Sequence, residues 1–433
     1  MVAPVHKTVL GNGLPVVVAP QPHLQRAYVA LWARVGSRFE TDRDNGISHF
    51  LEHMIYRGTR RVPSAHEVNL AFESLGGSLF ASTQVDHGIF SLSLPPESVD
   101  EACVLFGEVI SEPAFLDIDV ERGIVAEEIL EDLDDEGRQI DADNVSRALI
   151  YGSHPLGFTI TGTEGHVRSF DESMLRRWHA EHYTAGNAAL VFSGRVEVDS
   201  AFGLARRIFE AVLPRGSRTH ATPPPADQKA AHLEIVENVS SQTELRICFR
   251  ACSETHPMRP ALDMLMRVID DGMSTRLYHR LCDARGLCYD VSAGYDPYED
   301  DGVVDVAAGV QHKRVPLVTR EILGLFDDLA RSGPTEEELA KARRRVLWDA
   351  RSMPDSAEEM GSFYASGILF DRQTTPEEHV AALVKVTPED VREVARWMAR
   401  PERLSVTAVG LPDGDHDAAL EDVVHGWPGW RAA

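Results

Sequence analysis

The run His49-Phe50-Leu51-Glu52-His53 places two imidazoles four residues apart with a carboxylate between them. On a helix, residues four apart stand one turn above each other, so both rings can reach one metal ion while Glu52, three after His49, lies on nearly the same face. A zinc ion that hydrolyses an amide needs about three protein ligands and an open position for water, with a carboxylate nearby to take a proton. Glu52 is placed for that role. The order is the reverse of the commoner His-Glu-x-x-His. Phe50, Leu51 and Met54 make the surrounding helix apolar, where ionisable groups need partners or a metal.

The elements that would carry this motif occur twice. In the first half, the strand-like 27–37 precedes the helical stretch containing the motif. The alternating run 78–94 then reads as paired strands, and a helix follows near 98–111. The segment 119–136 has apolar residues at helical spacing, Ile124, Val125, Ile129 and Leu133, with an acidic opposite side. The second half repeats the order: a strand at 243–254, a helical ALDMLMRVID, strands near YDVSAGY and GVVDVAAGV, then helices near 315–331 and 335–352. Two copies of one α+β domain fit this pattern and the length of 433 residues. The proline-rich polar segment 214–231 divides them into 1–213 and 232–433. The second copy has MLMRVIDDG where the first has its histidines, and the basic KARRRVLWDARS where the first has its acidic helix, so one metal site is expected per chain.

Composition narrows the partners. A formal net charge of −25 argues against a nucleic-acid ligand, which requires a basic surface. Solubility is its simplest role; an acidic chamber would act on the encounter rate of basic peptides. No apolar window reaches the length of a membrane span and the N-terminus does not read as a signal peptide, so the expectation is a cytoplasmic protein without membrane association. The five cysteines form an odd set with no disulfide-framework spacing, and reduced thiols are expected. His87, His154, His166 and His182 read as ordinary polar or core histidines.

The stretch GSRFETDRDNGISHFLEHMIYRGT (36–59) resembles the M16 family of metallopeptidases, of the short two-domain type to which the mitochondrial processing peptidases belong. The similarity continues in order through ESLGGSLFASTQVDHGIFSLSL, VERGIVAEEILEDL, SHPLGFTITGTEGHVRSF and DDGMSTRLYHRLCDARGLCYDV. The resemblance implies two homologous domains, each a mostly antiparallel sheet flanked by helices, forming half of a clamshell chamber. It also implies a zinc endopeptidase acting on peptides or unstructured polypeptides, paired as a homodimer or heterodimer with another chain of the family.

Residue by residue, the resemblance implies Glu128 as third zinc ligand beside His49 and His53, and Glu52 as general base for the attacking water. Glu121 would orient a ligand, Tyr289 would approach the bound peptide, and Leu79, Phe80, Ala81, Ser82 and Thr83 would receive it as an added strand. Without the resemblance, Glu127, Glu128 and Glu131 read as a solvated acidic helix face, and Glu127 is the rival ligand. Two positions depart from the family pattern. Cys282 stands where an Arg usually partners the tyrosine, and Phe80 stands where an Asn often precedes the Ala. Both losses fall on the substrate side, which keeps a second expectation open, a non-catalytic or partner-dependent subunit of a heteromeric complex.

Overall fold

The alternating runs of the first half assemble into one six-stranded sheet, built from β1 (His6–Val9), β2 (Pro15–Pro20), β3 (Ala27–Ala33), β4 (Ser78–Thr83), β5 (Gly88–Leu94) and β6 (Ala188–Gly194). In this computed structural model residues 4–372, 374–410 and 414–430 are described. The strand order is β1-β2-β6-β3-β5-β4. β2 and β6 are parallel and the other neighbours antiparallel. β3 lies in the interior of the sheet and is buried along its whole length, which explains its continuous apolar run AYVALWA. Among the described residues β4 pairs only with β5, Leu79 opposite Leu92 and Thr83 opposite Gly88, and so forms a sheet edge.

The second half forms a five-stranded sheet from β7 (His232–Glu237), β8 (Thr243–Ala251), β9 (Cys288–Pro297), β10 (Gly302–Val310) and β11 (Leu404–Gly410), in the order β7-β11-β8-β10-β9. It repeats the first sheet strand for strand from β2 to β4, including the one parallel pair, β7 with β11. β9 is therefore the counterpart of the edge strand β4. The fold is α+β with two homologous sheets, each flanked by helices. No helix among the described residues is long and apolar enough to cross a membrane.

The compact units do not follow the linear division 1–213 and 232–433. One comprises Met1–Glu131, Phe158–Thr222 and Arg351–Thr374; the other comprises Asp132–Gly157, Pro223–Ala350 and Thr375–Ala433. The crossing at Thr222 lies within 214–231, which carries no helix or strand. Helix Ala357–Leu369, from the second half of the sequence, covers β2, β3 and β6 of the first sheet with Met360, Tyr364 and Leu369 buried. Helix Ala142–Tyr151, from the first half, covers β7, β8 and β11 of the second. Burying each large apolar side chain is worth about 1.5–3 kcal/mol, so a helix settles where its apolar stripe finds a sheet face, irrespective of chain position.

Two helices of the first unit matter most, α1 (Ile47–Ile55) and α2 (Ile118–Glu131), which pack against each other. α1 also lies against β4. Its N-cap is Gly46 at φ 93°, which offers no side-chain cap. A Cβ there would stand 2.5 Å from the Thr161 carbonyl oxygen, so both the conformation and the space require glycine. The cap comes instead from Glu40, buried, whose carboxylate accepts the N–H groups of Gly46 (2.7 Å) and Ser48 (2.9 Å) and the Asn45 amide (3.0 Å). Glu40→Ala removes the acceptor of the buried Gly46 and Ser48 N–H groups, while the Asn45 amide keeps the Thr159 carbonyl at 2.8 Å. It is expected to lower stability by about 1–3 kcal/mol in urea unfolding. A loss of less than about 0.5 kcal/mol, the size of an ordinary surface change, would mean the helix start is held by other groups.

Candidate metal centre

α1 turns His49 inward, where it is 8% exposed, and His53 follows one turn later on the same face. Their Nε2 atoms lie 3.2 Å apart. α2 brings Glu128 to the same place, with Oε1 3.5 Å from His49 Nε2 and Oε2 3.6 Å from His53 Nε2. Donors around a tetrahedral zinc, each about 2.0–2.1 Å from the ion, are separated by about 3.3 Å. The three side chains fit one face of such a site. Among the described residues they form the one group of three or more His, Cys, Asp or Glu side chains able to hold a metal ion. His49 Nδ1 is buried without a hydrogen-bond partner among those residues. That cost is rational if the ring is held in place chiefly through Nε2.

The protonation state of His49 suits metal binding, whereas His53 must give up a proton to bind an ion. Burial, reinforced by the neighbouring His53, pushes the His49 pKa down to about 3, which keeps its imidazole neutral and its lone pair available. His53 also loses hydration, but the hydrogen bond and charge of Glu121, aided by Glu52 and Glu128, outweigh that and raise its pKa. Glu121, 5% exposed, receives His53 Nδ1 at 2.8 Å and forms an ion pair with Arg57, whose Nε is 3.2 Å from its second oxygen. This fixes the His53 ring with Nε2 facing His49 and Glu128, the usual arrangement of a metal-binding histidine and its outer carboxylate. Glu121→Gln, which keeps size but weakens the acceptor, is expected to lower zinc affinity about 10–100-fold in a chelator competition titration. An unchanged affinity would show that α1 alone orients the ring.

Glu52 lies against the end of β4, where the Thr83 hydroxyl donates to its Oε2 at 2.5 Å. Burial raises the Glu52 pKa, opposed by that hydrogen bond and by His53 and aided by Glu128. A carboxylate in such a setting is a better proton acceptor near neutral pH than one in water. Thr83 belongs to the strand expected to receive a peptide; its bond to Glu52, 31 positions away in sequence, was not legible there. The Tyr56 hydroxyl similarly donates to the Leu79 carbonyl at 3.2 Å and ties α1 to β4. Along β4, Leu79 and Thr83 are buried, Ala81 and Ser82 half-buried, and Phe80 is 59% exposed.

Glu127 and Glu131 are exposed and lie outside the metal group. Tyr289 belongs to the other compact unit, near the start of edge strand β9, and is 92% exposed. The four histidines expected to be ordinary polar or core residues have local duties. His87 stacks on Trp32 and contacts Asp86, His154 accepts from Leu156 N, His166 meets the Asp42 carbonyl, and His182 faces Thr219.

Comparison with known proteins places this geometry in a family. Residues 16–164 match the family model described as insulinase (peptidase family M16), and residues 169–346 match the one described as the peptidase M16 inactive domain. An uncharacterized zinc protease of Streptomyces coelicolor is 27% identical over 97% of this chain and 92% of its own length. A protease from Helicobacter pylori shares the fold with a TM-score of 0.89 at 21% identity, over 95% of this chain and 100% of that one. A peptidase M16 inactive domain structure from Pseudomonas fluorescens does so with a TM-score of 0.87 at 19% identity, over 95% and 99%. With the half that carries His49, His53 and Glu128 and the second half both matched in order, the chain belongs to the M16 family of metallopeptidases.

Proposed function

We propose that the chain is a zinc-dependent endopeptidase acting on peptides or unstructured polypeptides. The observation that carries this reading is the convergence of His49 and His53 Nε2, 3.2 Å apart, with the two Glu128 oxygens, one 3.5 Å from His49 and the other 3.6 Å from His53, while Glu52 rises from α1 beside the histidines. His49, His53 and Glu128 would hold the ion. A bound zinc supplies Lewis acidity to a scissile carbonyl and lowers the pKa of water at its open position. Glu52 takes the proton at Oε1, since Oε2 is engaged by Thr83, and returns it to the leaving amine. The substrate adds as a strand along residues 79–83 of β4, whose outer edge has no strand partner among the described residues. The names of the relatives, zinc proteases, agree with this reading.

A second reading rests on Cys282, which cannot supply the guanidinium expected beside Tyr289. Under it the chain is a subunit that needs another M16 chain for turnover, and the first reading would place it as a homodimer or self-sufficient chain. Both are tested by measuring zinc per chain after purification without chelators, together with cleavage of a mixed library of unstructured peptides. Stoichiometric zinc with cleavage that a chelator stops supports the first reading. Zinc without cleavage supports the second, and no zinc even after reconstitution overturns the site itself.

A further inference from the structure

Cys282 and Cys288 are six residues apart in sequence, yet their sulfurs lie 3.5 Å from each other. The intervening turn is held from several sides. Gly286, at φ 55°, donates its N–H to the Cys282 carbonyl at 2.9 Å, and Leu287 N–H donates to the Leu281 carbonyl at 2.7 Å. Arg314 donates to the Gly286 carbonyl at 2.8 Å. Cys282 sits in the wide helical turn His279–Asp283, and Cys288 is the first residue of β9. Two anchored backbone segments thus present their thiols to each other.

The other three cysteines lack this arrangement. Cys103 is fully buried within helix Val99–Ser111. Cys248 and Cys252 are four apart along and just beyond β8, a separation of about 13 Å in an extended chain. Cys248 donates to Asp305 at 3.3 Å, and Cys252 lies against the Tyr295 hydroxyl at 3.6 Å.

We infer that Cys282 and Cys288 form a redox-active dithiol that a hydroperoxide converts to an intramolecular disulfide. Cys282 is half-buried and meets the oxidant, whereas Cys288 is 9% exposed behind it. The Cys282 thiolate attacks a peroxide oxygen, the O–O bond breaks, and Cys282 becomes a sulfenic acid with release of one water, or an alcohol from an organic peroxide. The Cys288 sulfur then attacks the sulfenic sulfur, its proton leaves with the hydroxyl as water, and the S–S bond forms. Overall two thiols lose two protons and two electrons, and the peroxide gains them. Burial and the adjacent Cys282 push the Cys288 thiol up to about 12, so it remains protonated until the partner is activated, consistent with Cys282 reacting first.

The consequence is local and specific. The disulfide would lock the entry of edge strand β9 immediately before Tyr289, closing a ring through the turn 283–287. None of these steps involves the metal centre, so their outcome is independent of peptidase activity.

The test uses the purified full-length chain, treated with hydrogen peroxide, then alkylated and digested with trypsin without reduction. Cleavage after Arg280, Arg285 and Lys313 puts the two cysteines on separate peptides, 281–285 and 286–313. The expected result is that these peptides become linked as the main oxidation product, lighter than their sum by two hydrogen atoms, and separate again on reduction. In Cys288→Ser, the expected product is instead a dimedone adduct on Cys282. Recovery of the two peptides unlinked and alkylated at both cysteines, or with Cys282 overoxidised while Cys288 remains alkylated, would overturn the inference.

Discussion

Glu52→Gln is expected to leave zinc binding intact and to reduce peptide hydrolysis by at least about 10²- to 10⁴-fold, the range contributed by a positioned general acid–base. The amide keeps the volume of the side chain, and its oxygen can still accept from the Thr83 hydroxyl. Glu52 is not one of the three donors gathered around the site, so metal affinity has little reason to change. Since burial disfavours the charged carboxylate, replacing it by a neutral amide should not destabilise the fold. The informative pair of measurements is therefore zinc content and turnover on the same preparation. Turnover retained in a zinc-loaded variant would remove Glu52 from the mechanism, and zinc lost with the activity would make it a ligand.

Glu128→Ala is expected to release the metal, with a loss of affinity larger than the roughly 10–100-fold typical of an outer carboxylate such as Glu121. Glu127→Ala should leave zinc content unchanged. The contrast follows from the rotation of α2. Successive residues on an ideal helix point about 100° apart, and the structure aims Glu128 at both imidazoles while Glu127 lies outside the metal group. Equilibrium dialysis against a zinc indicator separates the two variants. An equal or greater loss in Glu127→Ala would mean that α2 presents Glu127 rather than Glu128 to the imidazoles. Urea unfolding of both metal-free variants guards against a folding artefact, since Glu128 is 43% exposed and its removal opens no cavity.

What could be read from the sequence was local or periodic. The spacing of His49, Glu52 and His53 implies a shared helix face because 3.6 residues make a turn, and that relation needs no tertiary knowledge. The strand pattern also repeated recognisably, because alternation records which face is covered; the two sheets do share one strand order from β2 to β4 and from β7 to β9. Glu128 was named through the family resemblance. Spacing alone left it among three acidic neighbours opposite an apolar stripe, of which the structure buries Val125 and Ile129 but leaves Ile124 48% exposed.

Only the tertiary structure decided the rest, because it depends on how separate elements are rotated and stacked. The angle of α2 against α1 chooses Glu128 and buries Glu121 between His53 and Arg57. The position of β4 beside α1 lets Thr83 engage Glu52, and Glu40 reaches past Gly46 to cap a helix that lacks a side-chain cap of its own. Helices Ala142–Tyr151 and Ala357–Leu369 settle on the sheets of the opposite halves, which no linear boundary could convey. Sequence periodicity tells which face of an element is buried, whereas the identity of the surface that buries it is set by burial summed over the whole fold.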